Sequence, residues 1–561
     1  IDTPQATNET GENTPVESRE TAFPVAGTTN DSLPPSRWKF LRYLSPFWHD
    51  RLIEAGLILS LGLYYVVGNP NLGAGSIGQI PPYLYSFPFL AVFAILSWYR
   101  LAFAVALMPL ALPYYLIQKT VFSVGARHLD FSLAEISLAV CALVALGQWL
   151  FSRGKWRYAL SWRDLKDRLG PFTPPMALFI VAAAISVLIA LERSTALRSF
   201  REEIFDPLLY LLLALCCLRT RQDLYRLLGA FLGSAMIIAA IGLIQYFFFA
   251  DQLQQTLNEE GRVLAVYGSA NSIGLFFDYV LPIGFSLLVF QFRRAMSGQG
   301  KWWLCTLMLI GFVPLISVVV LSQSLGTALA LPIALLFMLA FSLRNRKILL
   351  IGGGTLLALV LISGIALREP LVSFISHWHG NSRGLGTFVK RYYLWQVAIN
   401  MIGAFPWFGV GMDNWLCYYT SNNICPASHN VKHFVIYIIP GTHLGTGLGQ
   451  EQTLSHPHDI FLHVWVSIGI FGLLAFLAVL ALFYWLFVRI VKTLRTSTRS
   501  EVTSLEWVVL GIGGAMTAAL FQGLIDSSFL EQDLAFCFWM LIVALLILRV
   551  LTGTSWRRRS L

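Results

Sequence analysis

The chain has 561 residues, of which 56% are hydrophobic and 12% charged, against about 25% charged in an ordinary soluble domain. That balance excludes a water-soluble globule and leaves lipid as the solvent. The net charge of +10 comes from 40 Lys and Arg against 30 Asp and Glu; because these residues lie between long apolar runs, the excess reads as membrane topology rather than nucleic-acid binding.

Residues 1–36 are rich in Thr, Pro, Asn, Glu and Ser, too polar to offset the entropy of ordering, and are expected to form a disordered cytoplasmic tail. They show no basic stretch ahead of an apolar core, so no cleavable signal is expected and the first hydrophobic helix would direct insertion. Crossing about 30 Å of hydrocarbon takes about 20 mostly apolar residues. On that measure the spans are 52–67, 84–98, 101–117, 133–151, 174–191, 204–218, 227–249, 272–290, 302–321, 325–343, 348–367, 460–488, 505–525 and 534–548. The expected fold is an all-α polytopic membrane protein of about 14 transmembrane helices, or about 12 to 13 if the short second and third spans form a re-entrant pair. Residues 37–367 would hold the first eleven, 368–459 one large outer loop, 460–551 the last three, and 552–561 a basic cytoplasmic tail. With both termini inside, most Lys and Arg fall in the inner loops. A missed or invented span would reverse that bias downstream, and no reversal occurs.

The 368–459 loop holds the chemistry. The stretch 388–405 spaces Val389, Tyr392, Tyr393, Val397, Ile399 and Ile402 near helical period, which predicts an amphipathic helix at the membrane surface, ending at Pro406. Cys417 and Cys425 are close enough to bridge in an oxidising compartment, or to remain two free thiols. Eight of the ten histidines (His377, His379, His429, His433, His443, His456, His458 and His463) lie in this loop or just past it. Histidine is the side chain that exchanges protons near neutral pH. His429 and His433 are four apart, but no His-Glu-x-x-His pattern accompanies them, and no metal or other cofactor is expected. His458 sits where the loop enters the twelfth span, so a rigid element would hold it as a general base at the outer boundary.

The run from His458-Asp459 to Gly469-Ile470-Phe471-Gly472 resembles the His-Asn, nine residues, Gly-x-x-Gly signature of the bacterial O-antigen ligase and polymerase superfamily, with Asp459 where Asn, Ser or Gln is usual. Three upstream stretches resemble the same superfamily: Arg391 to Trp395 followed by Pro406 to Gly411, Arg262 through Gly268 to Asn271, and Ser322-Gln323-Ser324-Leu325-Gly326. In the last, Leu325 replaces the expected Arg. The resemblance covers roughly residues 262–472. It implies transfer or polymerisation of a glycan from a polyprenyl (undecaprenyl) diphosphate carrier on the outer face of the bacterial inner membrane. The acceptor would be a lipid, as in lipopolysaccharide, a saccharide or a protein.

On that resemblance His458 is the catalytic base, and Arg262 and Arg391, with His456, bind substrate. Arg198 and Arg201 can substitute for the cation lost at Leu325, since Arg matches phosphate oxygens with a planar fork of donors; alternatively they pair with Glu202, Glu203 or Asp206. Asp413 and Glu451 read as solvated loop acids. Asp278, about two turns into the eighth span, is a costly intramembrane acid that would face a cavity or partner, and Glu54 lies near a span end. Gly352-Gly353-Gly354 reads as helix packing. Two other readings stand beside the enzyme: a transporter of a small anion or a lipid, which Asp278 would serve, and a non-catalytic scaffold. Against transport, the polar residues are gathered in one outer loop rather than in paired broken helices.

Overall fold

The computed structural model describes residues 46–69, 82–124, 127–152, 162–251, 261–343, 384–420, 425–434, 456–498 and 500–556. The expected tail at 1–36, the span at 348–367, Gly352 to Gly354, Glu451 and the histidines at 377, 379 and 443 lie outside them. The chain divides into a unit ending at Leu52 and one running from Ile53 onward; the bundle and its polar site belong to the second.

Helix dominates, because a backbone in hydrocarbon must satisfy its own hydrogen bonds. Among the described residues eight helices are long and apolar enough to cross a membrane: Leu133–Phe151, Arg163–Ile189, Arg221–Phe248, Ala270–Met296, Trp302–Ser322, Leu325–Ser342, Ile460–Thr496 and Gln532–Thr552. A ninth candidate, Leu84–Tyr99 with Leu101–Tyr114, bends by 118° at Arg100, a geometry shared by a broken span and by the re-entrant pair considered from sequence. Glu506–Gln522 is apolar but shorter. The chain is thus an all-α membrane protein with several spans. Two of these helices open on reciprocal capping boxes, Ser132 with Glu135 and Thr220 with Asp223, each satisfying two otherwise unpaired amides.

One element departs from helix. Lys119–Val124 and Arg127–Phe131 pair as an antiparallel hairpin. The buried Lys119 ammonium donates to the carbonyls of Tyr64 and Val67 at the end of the first helix, so the hairpin is tied to a helix C-terminus, where the last carbonyls are left over by the helix's own bonding pattern.

Burial ranks the helices. The most apolar stretch of Gln532–Thr552 is 89% buried, that of Trp302–Ser322 and of Leu325–Ser342 only 22%. The last helix is therefore the centre of the bundle, packed against Asp206–Cys217, Ile460–Thr496 and Glu506–Gln522, while the other two present apolar side chains to lipid.

The expected amphipathic helix spans Gly384–Ala404. Its buried stripe is Leu394, Val397, Ala398, Met401 and Ile402, packed on Val410, Trp415, Tyr419 and Val466, whereas Tyr392 and Ile399 are exposed. The stripe follows the 3.6-residue period but lies farther round the helix than the sequence reading put it.

The segment after this helix clasps a break in Ile460–Thr496. Gly469 there has φ 82° and ψ −176°, which frees a carbonyl before it and an amide after it. Val410 N–H donates to the Val466 carbonyl at 2.7 Å, and Ile470 N–H to the Pro406 carbonyl at 3.0 Å. The Trp465 indole adds a bond to the Pro406 carbonyl at 3.1 Å. A Cβ on Gly469 would lie 2.1 Å from the Trp407 carbonyl oxygen, and one on Gly409 would lie 2.2 Å from that of Val466. Both positions have positive φ, so glycine is required by backbone conformation and by space.

Candidate active site

The first turn of Ile460–Thr496 is fixed by Asp459, whose carboxylate accepts from Leu462 N–H at 2.8 Å. Asp, Asn and Ser are near-equivalent at a helix N-cap, so the Asp in place of Asn keeps the local geometry. His458, just before the cap, has a left-handed φ of 54°. Its N–H donates to His456 Nδ1 at 3.2 Å and its carbonyl accepts from the Trp395 indole at 3.3 Å, which hold the residue in a conformation that is sparsely populated outside glycine.

The His458 ring meets a residue that sequence reading missed. Nδ1 lies 2.7 Å from Oδ1 of Asp526, whose Oδ2 is 3.5 Å from Arg391. Asp526 follows Glu506–Gln522 in a turn pinned from several sides. Ile460 N–H donates to the Gly523 carbonyl, Ser527 N–H to Asp526 Oδ1, Ser528 Oγ to the Ala519 carbonyl, and Tyr279 Oη to the Ser528 carbonyl. Phe529 beyond them is wholly buried among Phe179, Phe476, Phe538 and Trp539. Such anchoring holds a buried carboxylate at a set distance from its partner.

Two more histidines complete the row. His456 packs edge-on to His458 at 4.5 Å and stacks on His463 at 5.2 Å. With Nδ1 accepting from His458 N–H, the His456 proton sits on Nε2 and is directed at Glu531 Oε1, 3.2 Å away. His463 Nδ1 lies 2.7 Å from Ser527 Oγ. Arg391, Asp526, His458, His456 and Glu531 thus form one chain of contacts, with a cation at one end and a carboxylate at the other.

The electrostatics of that chain divide its protons. Burial acts to raise the Asp526 pKa, but the adjoining His458 and the Arg391 guanidinium outweigh it and hold the carboxyl well below the usual carboxylate range. Burial lowers His458, and this prevails over the attraction of Asp526. His456 is raised, because Glu531 overrides burial there. At neutral pH His458 is therefore an uncharged imidazole that donates Nδ1–H to an ionised Asp526 and keeps a lone pair on Nε2, the form a general base requires.

The remaining residues singled out by sequence lie elsewhere. Arg262 donates from Nε to the Ser322 carbonyl at 2.8 Å and from a terminal nitrogen to Asn271 at 2.7 Å, so two of the quoted motifs meet through it. Leu325, in the same turn, is 39% exposed. Thr327 there bonds Gln522 at 2.8 Å, tying the turn to the helix that leads into Asp526. Arg198 contacts Glu202 at 3.0 Å; Arg201 contacts Glu202 at 2.7 Å and Glu135 at 2.8 Å. Gln532 donates to the other Glu202 oxygen at 2.7 Å. The π-helical turn Phe200–Phe205 carries Arg201 and Glu202, a backbone form often found at functional sites. His429 and His433 bond the Pro426 and Ser428 carbonyls, and the 3-10 turn Pro426–Asn430 leaves them no shared helical face. Cys417 and Cys425 are joined in a disulfide. Asp278 is fully buried with both carboxyl oxygens unpaired among the described residues.

His456, His458 and Asp526 offer ligand atoms within 4.8 Å of one another, the one such grouping among the described residues. Two imidazoles and a carboxylate are a donor set that first-row metals accept. Here the same atoms are already matched as hydrogen-bond donors and acceptors to one another and to Glu531.

The Asp526 turn lies in the stretch 523–531, after a span that sequence reading ended at 525. Its signal was present: an assigned outer loop of eight residues, 526–533, contains Asp526, Glu531 and Asp533.

No curated protein matches this chain. Residues 310–477 match the family model described as O-Antigen ligase. That segment takes in Arg391, the Pro406 to Gly411 clasp, His456, His458 and the Gly469 break, while Arg198, Arg201, Arg262 and Asp526 lie outside it. The resemblance read from the motifs is therefore supported by an independent match: over residues 310–477 this membrane protein is similar to the O-antigen ligase family.

Proposed function

We propose that this protein transfers a glycan from a polyprenyl diphosphate carrier to a hydroxyl of an acceptor at the outer surface of the bacterial inner membrane, with His458 as general base. The carrying observation is the contact of His458 Nδ1 with Asp526 at 2.7 Å, which supports a base with its Nε2 lone pair available. In the step, the acceptor oxygen bonds to the anomeric carbon as that carbon's bond to the diphosphate oxygen breaks. The acceptor proton passes to His458 Nε2, and the electron pair of the broken bond leaves on the polyprenyl diphosphate. Arg391 supplies positive charge at that end of the row, where developing negative charge on the leaving group is stabilised. Arg262, fixed at the turn that contains Leu325, keeps a cation beside the position where the superfamily arginine is absent. The disulfide supports placing the 368–459 loop outside the cytoplasm.

Transfer should depend on pH with one sign. The base is active when neutral, and its folded pKa lies below the ordinary 6.5. The rate should be level at pH 7 and above and fall about tenfold per unit once pH drops through a value below 6.5. An acid limb centred above 6.5 in a profile of the transfer step would contradict a desolvated His458.

Transport is the second reading, favoured by the unpaired Asp278. Neither of two polar cavities, one beside Glu531 and one beside Gln118, is lined by it. Replacing His458 by alanine separates the readings: transfer should fall at least about 100-fold with membrane insertion intact, and unchanged transfer would remove His458 from the mechanism.

A further inference from the structure

A cavity of 330 Å³ opens at the carboxylate end of the histidine row, within the size range of about 300–1,000 Å³ of small-molecule clefts. Its polar lining includes Arg198, Ser199, Glu203, Asp413, Glu531 and Gln532. A second space of 460 Å³ shares Leu116, Arg198 and Gln532 with it and adds Gln118 and Asp130. Glu531 belongs to both the row and the cavity, since it holds His456 on one side and lines the space on the other.

The charge balance of this lining is unlike that at Arg391. Arg198 is the one cation, and Glu202 already contacts it. Glu531 is shared with His456, and Glu203 and Asp413 remain. An anionic diphosphate entering here would face the Asp413 and Glu531 carboxylates, so this end disfavours the leaving group that Arg391 attracts. Hydroxyl, amide and carboxyl groups arrayed around one space are acceptors and donors for a polyhydroxylated ring, and carboxyl oxygens also receive an ammonium group. Burial, with the neighbouring Asp413 and Glu531, pushes the Glu203 pKa well above the usual carboxylate range. The protein around Asp413 and the Glu531 carboxylate push it up as well, although the residue is exposed and water screens part of that effect. Carboxyls under such mutual repulsion gain from a neutral or positive ligand and lose from a negative one.

We propose that this cavity is the subsite for the acceptor's sugar, and that it takes a neutral or amino-bearing ring while rejecting an anionic one such as a uronic acid. The proposal rests on the glycan-transfer reading above and adds its acceptor class. It also assigns Arg198 to the acceptor side, away from the diphosphate. The row then has an order: leaving group at Arg391, base at His458, acceptor ring beyond His456 and Glu531.

The test uses full-length protein in detergent, with glucosamine, glucose and glucuronate as probes and saturation-transfer NMR as the readout. Glucosamine should bind at least about tenfold more tightly than glucuronate, with glucose between them. The double variant Glu203→Gln, Asp413→Asn should bring glucosamine and glucuronate to within about twofold. Equal binding of glucosamine and glucuronate by the unaltered protein, or no binding of any probe, would overturn the proposal. If the double variant does not fold, the unaltered protein decides by pH with the two probes whose charge is constant over the range: the preference for glucose over glucuronate should shrink from pH 8 to pH 5 as the carboxyls protonate, and a constant preference would count against them. His458→Ala keeps the two readings apart. It should lose transfer and retain the sugar preference; retained transfer would refute the base assignment, while the binding series would still judge the subsite.

Discussion

Replacing Asp526 by alanine should lower glycan transfer by about 100-fold to 10,000-fold, the range of a general base deprived of its proper form. In the proposed mechanism Asp526, 2.7 Å from His458 Nδ1, fixes the His458 proton there and neutralises the imidazolium that forms when the base takes a proton. Without it, His458 can place its proton on either nitrogen, and Arg391, 14% exposed, loses its buried counter-charge. Removing one partner of a buried charge pair costs about 3–5 kcal/mol, so the comparison must include Asp526→Asn, which keeps the volume and one acceptor oxygen. Both variants should retain insertion in the membrane, and both should lose rate at saturating donor rather than donor affinity alone. An Asp526→Asn protein with wild-type rate would remove the carboxylate from the mechanism.

The second large effect is structural. Alanine at Gly469 should cost about 3 kcal/mol or more, because its φ and ψ lie in a region open essentially to glycine alone and its Cβ would overlap the Trp407 carbonyl oxygen at 2.1 Å. The clasp could not close, and the helical turns carrying His463 and Trp465 would lose their seat on the Pro406 to Val410 segment. Thermal unfolding in detergent should begin several degrees lower, with loss of transfer even below that temperature. Gly403→Ala is the control: it lies on the exposed face of Gly384–Ala404, and a methyl group there would have no neighbour within 4 Å. Alanine within a helix is favoured over glycine by about 0.5–1 kcal/mol. Equal stability of the two alanine variants would contradict the clasp.

How far sequence went is clearest at particular residues. Apolar run lengths were enough to identify helices, since each helix satisfies its own backbone, and the short 84–98 and 101–117 pair already hinted at the bend found at Arg100. The His458 to Gly472 motif was legible as a motif, but the reason for its glycines was not. That reason is a backbone pairing between Val410 and Val466, which are far apart in sequence. Asp526 was missed for the same cause: it is 68 residues from His458, and no local pattern links them. Topology contained the missing link, because the assigned spans put 526–533 and 456–459 on one face. The fate of Arg198 and Arg201 was undecidable from sequence, since phosphate binding and pairing with Glu202 use the same guanidinium. The hairpin at 119–131 escaped because a buried Lys119 reads as a loop charge until its carbonyl partners are known.

Whether the row from Arg391 to Glu531 moves a glycan off a lipid diphosphate is decided in a proteoliposome. It would contain purified protein, a labelled glycan on undecaprenyl diphosphate and an amino-sugar lipid acceptor, with no nucleotide present. Label should appear on the acceptor with an equal amount of undecaprenyl diphosphate released, and both should be lost with His458→Ala. Label that stays on the carrier while a small anion or the intact lipid crosses the bilayer would contradict glycan transfer by this row.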